Sequence, residues 1–176
     1  DSTFTSSSDT LRGSWSYFSD DISVIEIFEY AVGISPGSNE TIDWTTVGST
    51  TASFMETGLE LANAQQYFIS VRAIDYAGNI SGISISDGII VDLANMELVS
   101  SSISPESYLP VNNLPTLSYT FSESIDSGQV DIVGNNSGNI SSLILDSTVV
   151  IDFLNSFTSL DTFSILTSVN DFSGKD

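Results

Sequence analysis

Apolar and polar residues alternate over several short stretches of the chain. Phe28, Tyr30 and Val32 are separated by Glu29 and Ala31. Tyr67, Ile69, Val71 and Ala73 are separated by Phe68, Ser70 and Arg72. Leu117, Tyr119 and Phe121 repeat the pattern, as do Phe163, Ile165, Thr167 and Val169. A period of two, rich in aromatic and β-branched residues, predicts half-buried strands. Turn-forming clusters lie between them: Ser35-Pro36-Gly37-Ser38-Asn39, Ala77-Gly78-Asn79, Ser127-Gly128 and Asn135-Asn136-Ser137-Gly138-Asn139. No helical period is sustained. Residues 58–66 are compatible with a helix but too few to change the class. Many short strands at regular spacing predict an all-β sandwich architecture.

One segment occurs twice. Residues 67–79 read YFISVRAIDYAGN and residues 163–175 read FSILTSVNDFSGK. Without gaps, Tyr67 aligns with Phe163, Ile69 with Ile165, Val71 with Thr167, Ala73 with Val169, Asp75 with Asp171 and Gly78 with Gly174. An aromatic-led strand followed by D-x-x-G, repeated after about 95 residues, predicts two tandem modules of one architecture. We expect the first to span 1–93 and the second 94–176.

Composition narrows the chemistry. The 176 residues include no Cys and no His. Disulfide staples, thiolate zinc sites, Cys or Ser/His nucleophilic arrangements and imidazole acid–base catalysis are therefore excluded. Three Lys and Arg stand against 23 Asp and Glu, a formal net charge of −20. Nucleic-acid binding needs cations on phosphates, and an anionic membrane surface would repel this chain. No run approaches 18 apolar residues, so no membrane-spanning helix is expected. Ser and Thr make up more than a quarter of the chain. Such a surface suits saline or calcium-rich extracellular water, where counterions screen the repulsion. An acidic cytosolic protein would be the plainer explanation of the same composition. The first residue is Asp1, with no basic or apolar leader, as expected of a processed product or an excerpt of a longer protein.

The first module resembles a fibronectin type III domain. Trp15 stands where that family places a core Trp on strand B, and Tyr30 resembles its strand C tyrosine. Leu61, six residues before Tyr67, resembles the tyrosine corner of sandwich domains. Residues 83–92, ISISDGIIVD, look like the last strand. The stretches 15–21, 30–37, 44–48 and 75–79 are similar to modules repeated in large bacterial secreted and surface proteins. The second module resembles bacterial Ig-like domains through Tyr119-Thr120-Phe121-Ser122-Glu123 and Asp171-Phe172-Ser173-Gly174, although Lys175 replaces the usual Asn. The fold implied is two tandem immunoglobulin-like or fibronectin type III-like β-sandwiches.

The resemblance brings two acidic sets into play. Its B–C and F–G loops meet at one end of each sandwich. In the first module they carry Asp20 and Asp21, and Asp75 and Asn79. These could offer oxygens to Ca²⁺. Alternatively, Asp75 caps its own turn, with Gly78 at positive φ. In the second module the same loops carry Glu123, Asp126 and Asp171. With the modules end to end, Asp92 would join them as an inter-module calcium site, or the four would be solvated around a loose hinge. Trp15 and Trp44 are candidates for a sugar platform or for packing. Four N-x-S/T triplets begin at Asn39, Asn79, Asn135 and Asn139, as chance predicts in a chain rich in these residues.

The function expected is a non-catalytic spacer or adhesion segment of a larger extracellular or cell-surface protein, with joints stiffened by calcium. Its partners would be neighbouring modules of the same polypeptide, a cell-surface glycan or a protein. A glycan-binding accessory segment of a secreted hydrolase and a building block of an extracellular filament are the alternatives. An enzyme is not expected, because carboxylate-pair hydrolysis needs a cleft that small sandwiches do not offer. The first module runs past its D-x-x-G turn into a further strand. The second is expected to lack that strand, leaving residues 163–169 as an open edge for self-association, for another segment, or for a continuation of the chain.

Overall fold

In a computed structural model of the chain, the described residues are 3–104, 116–134, 140–154 and 163–173. The chain divides into two compact units, Asp1–Ala94 and Asn95–Asp176. Both are all-β sandwiches, and no helix among the described residues is long and apolar enough to cross a membrane.

The first unit contains β1 (Phe4–Thr5), β2 (Leu11–Ser14), β3 (Ile25–Gly33), β4 (Ile42–Gly48), β5 (Ser53–Glu56), β6 (Gln66–Asp75), β7 (Ser84–Ile85) and β8 (Ile89–Val91). One sheet has the order β1-β8-β6-β3-β4, with β7 also on β6, and the other is β2-β5. Alternation on β3 and β6 sends Phe28, Tyr30, Val32, Tyr67, Val71 and Ala73 inward. Leu11, Phe54 and Leu61 meet them from the opposite side. The two sheets are joined through aromatic rings. Tyr30 on β3 stacks on Phe54 of β5 with centroids 4.4 Å apart, and Trp15 packs edge-on to Phe28 at 5.8 Å. Burying side chains of this size stabilises by about 1.5–3 kcal/mol each.

The sequence suggested one strand over 83–92. The structure breaks it into β7 and β8. Gly88 has φ +93, which L side chains rarely adopt, and a Cβ there would lie 2.6 Å from Gln66 Nε2 and 2.9 Å from the Phe68 ring. The backbone turns at this point, and Ser86 bridges the gap. Its N–H donates to the Ile69 carbonyl at 2.9 Å, and its hydroxyl accepts from the Ile69 N–H at 2.9 Å.

The second unit contains β9 (Leu98–Ser101), β10 (Leu117–Phe121), β11 (Ile125–Gly134), β12 (Ile140–Leu145), β13 (Thr148–Phe153) and β14 (Phe163–Asp171). A four-stranded sheet, β12-β13-β10-β9, faces a two-stranded one, β11-β14. Leu117, Val149 and Ile151 from the first sheet pack with Ile125 and Val169 from the second. Thr167, expected to alternate inward with Val169, is exposed. Among the described residues β14 pairs with β11 and with no other strand.

The repeat is also visible in backbone geometry. In the first unit Ile25 pairs with Asp75, and the register slips between Ile25 and Ile27. In the second, Ile125 pairs with Asp171, and the register slips between Ile125 and Ser127. Each module therefore carries one bulge opposite the aspartate that ends its long repeated strand, with Glu26 and Asp126 as the inserted residues.

Candidate functional site

Asp75 ends β6 and is buried, with 6% of its surface exposed. One carboxylate oxygen accepts the Asn79 backbone N–H at 2.7 Å, and the other accepts Asn79 Nδ2 at 2.8 Å. The second oxygen also accepts the Ser23 hydroxyl. Gly78, at φ +84, donates its N–H to the Asp75 carbonyl at 3.0 Å. Asp75 thus caps its own turn, the second of the two arrangements expected. These donors, Ser23 first and Asn79 next, outweigh burial and hold its pKa down at about 2 from an ordinary 3.8.

Asp20 holds the other loop. Its Oδ1 accepts the N–H groups of Ile22 and Ser23, both at 2.8 Å. Ser23 therefore links the two loops, fixed by Asp20 on one side and donating to Asp75 on the other. Asp21 is exposed, and the carboxylates of Asp20, Asp21 and Asp75 do not converge as a group of three within 4.8 Å. Asp20, Ser23, Asp75 and Asn79 at this end form a hydrogen-bonded clasp. Ser23 was not among the residues expected at this end. The signal available was its place three residues after Asp20, the spacing of a side-chain-capped turn.

In the second unit Asp171 is buried, at 2% exposure, and its Oδ1 accepts the Ser173 N–H at 2.7 Å and the Ser173 hydroxyl at 2.6 Å. Carboxylate oxygens of Glu123 and Asp171 lie within 4.8 Å of each other. Asp126, expected beside them, is the exposed bulge residue of β11 and stands outside that pair. In the first unit Asp92 donates its N–H to the Thr5 carbonyl at 2.9 Å, and its Oδ1 accepts the Ala94 N–H at 3.0 Å. Two carboxylates at the Glu123–Asp171 separation can share a divalent cation, which would draw its remaining oxygens from carbonyls or water. Lys175 and the triplets at Asn135 and Asn139 lie outside the described residues.

Trp15 follows β2, donates its backbone N–H to the Ala52 carbonyl at 2.9 Å, and packs its ring on the core. Trp44, on β4, is half-buried. The Arg72 guanidinium sits 4.2 Å from its ring centroid, and Arg72 Nε and Nη2 each lie 2.7 Å from Glu29 Oε2. Arg72 thus covers one face of the Trp44 indole. Arg72 was read only as a polar position in β6, yet it is one of three cations in the chain and holds β3, β4 and β6 together on their outer face.

The tyrosine expected at a sandwich corner is in place. Tyr67 is 4% exposed, and its hydroxyl accepts the Ala62 N–H at 3.0 Å. Elsewhere in this core Tyr30 donates its hydroxyl to Glu56. Burial, and then the Glu56 carboxylate, push Tyr30 up to about 12.

No protein-family profile and no curated protein matches the chain. Among solved structures, the crystal structure of the FN1–FN3 domains of chicken CNTN1 is similar to it at 14% identity and a TM-score of 0.46. That alignment covers 98% of this chain and 58% of the other.

Proposed function

We propose that the chain is a non-catalytic spacer or adhesion segment of a larger extracellular or cell-surface protein. Two β-sandwich modules in series would hold another part of that protein away from a surface, with calcium stiffening the joint. The observation that carries the reading is the use made of the acids at the loops. Asp20 and Asp75 are spent on a clasp that fixes one end of the first sandwich. In the first unit hydrogen bonds hold the carboxyl groups of Asp9, Glu40 and Asp75 below the ordinary carboxylate range. Acids held ionised make rigid turns and poor proton donors. The stacking of Arg72 on Trp44 disfavours the glycan-platform alternative.

For calcium, the support within one unit is the Glu123–Asp171 pair, and the contribution of Asp92 and Asp126 rests on the sequence alone. Melting in calcium and in chelator, at matched ionic strength, tests the reading. Calcium at 100 times its dissociation constant should add about 2.7 kcal/mol by mass action. Asp171→Asn and Glu123→Gln should abolish that gain. Equal midpoints with and without calcium would remove calcium from the account. The spacer reading is checked separately by small-angle scattering, where an interdomain distance unchanged from low to high salt is expected and a broad distribution would count against it.

A further inference from the structure

In the first unit the sheet of β2 and β5 faces a sheet of six strands. The N-terminal segment is engaged elsewhere and does not widen the smaller sheet. Phe4 and Thr5 pair with Ile90 and Val91 of β8, and the carbonyls of Ser8 and Asp9 accept the N–H groups of Leu61 and Leu59, both at 2.9 Å. Beside β2 lies a cavity of about 710 Å³, the size of an ordinary small-ligand pocket. Leu11, Trp15, Ile69 and Val71 are part of its apolar lining. Ser84 of β7 pairs with the buried Val71 and so shares its inward face, yet Ser84 is exposed. The sandwich is open along this side.

The polar groups at the cavity select the ligand. Arg12 is exposed and borders it. In a chain with 23 Asp and Glu, Arg12 makes no ion pair and no side-chain hydrogen bond among the described residues. The Trp15 N–H donates to Ala52, so by antiparallel alternation Gly13 and Leu11 bond toward β5, and the N–H groups of Arg12 and Ser14 point away from it. A guanidinium and two backbone donors thus stand along one edge. Tyr17, also at the cavity, has φ +66 and a wholly exposed side chain. Strained non-glycine residues of this kind cluster at ligand clamps. Asp87 lines the cavity too, and the chain carries a net charge of −20. One guanidinium can hold one negative charge against that field, whereas a polyanion is repelled. We propose that this cavity binds a small monocarboxylate with an apolar or aromatic body. The carboxylate lies on Arg12, whose planar fork matches it in bidentate geometry, and the body lies against Trp15, Ile69 and Val71. The site belongs to the first unit alone and stands apart from the spacer reading and from calcium.

The test titrates the 176-residue chain with 4-phenylbutyrate and with 4-phenylbutanol, which share one body and differ in charge. Amide chemical shifts report both affinity and location. The acid should move the amides of residues 11–15 and 84–89 saturably and bind roughly tenfold more tightly than the alcohol, as one charge-assisted bidentate contact provides. That advantage should shrink in high salt. Arg12→Gln, at an exposed position, should make the two probes equal by weakening the acid alone. Ser84→Phe should fill the cavity and abolish binding of both, with its amide spectrum showing that the fold is kept. If that variant does not fold, the Arg12→Gln result decides. Equal affinities for acid and alcohol in the parent, no saturable shift with either, shifts confined to other residues, or unchanged binding in a folded Ser84→Phe would each overturn the proposal. So would Arg12 and Ser14 amides already protected from hydrogen exchange without ligand, by the chain itself or by a second copy.

Discussion

The hydroxyl of Tyr67 accepts the backbone N–H of Ala62 at 3.0 Å, closing a five-residue loop while its ring stays in the core. One side chain thereby satisfies a backbone donor and fills the space between two sheets. Tyr67→Phe keeps the ring and loses the bond. It should cost about 0.5–1.5 kcal/mol. Tyr67→Ala also opens a cavity and should cost about 3–5 kcal/mol. Urea unfolding of the three proteins separates the two contributions, and an Ala variant as stable as the parent would refute the corner's role.

Asp75 makes the first unit sensitive to acid. Its folded pKa, about 2, lies below the ordinary 3.8. The group therefore contributes stability that is complete above pH 3.8 and disappears as pH falls toward 2. Asp75→Asn should be less stable than the parent at pH 6, and the gap should narrow between pH 4 and 2. Comparing the two proteins at each pH cancels the relief of self-repulsion that acid brings to a chain of net charge −20. A gap that stays constant across that range would show that Asp75 does not titrate as described.

Arg72 joins an ion pair to a cation–π contact, with its own side chain 26% and that of Glu29 16% exposed. Arg72→Ala should cost about 1–3 kcal/mol, from the stacking and from the carboxylate left partly buried. Arg72→Lys should recover less than half, since an ammonium lacks the planar fork. Thermal unfolding gives the order, and a change in Trp emission reports the loss of the guanidinium from the Trp44 ring.

Gly88 is the hinge between β7 and β8. A side chain there meets both the unfavourable φ and the Gln66 and Phe68 side chains. Gly88→Ala should destabilise by about 1–3 kcal/mol. Gly82→Ala, where a Cβ meets nothing within 4 Å, is the control and should change little.

What could be read from the sequence was what is local or periodic. Phe28, Tyr30 and Val32 declare β3 because alternation is a direct imprint of the pleat. Tyr67 could be placed because its partner lies five residues away. The D-x-x-G turn of Asp75 was legible, but its bond to Ser23, 52 residues distant, was not, since nothing in a D-x-x-S spacing names a remote acceptor. The break at Gly88 was overlooked because residues 83–91 alternate well enough to pass for one strand. Arg72 over Trp44 depends on the register of three strands, which alternation alone does not fix.

The paired bulges at Ile25/Ile27 and Ile125/Ser127 set a division of labour within each module. The aspartate, its turn and the bulged strand opposite form one corner at the end of the long central strands. In the second unit that corner exists with β14 paired only to β11 among the described residues. A bulge placed opposite the same aspartate in both units turns the end of each long strand pair in the same way, so the two modules present their acidic loop ends on a common backbone frame.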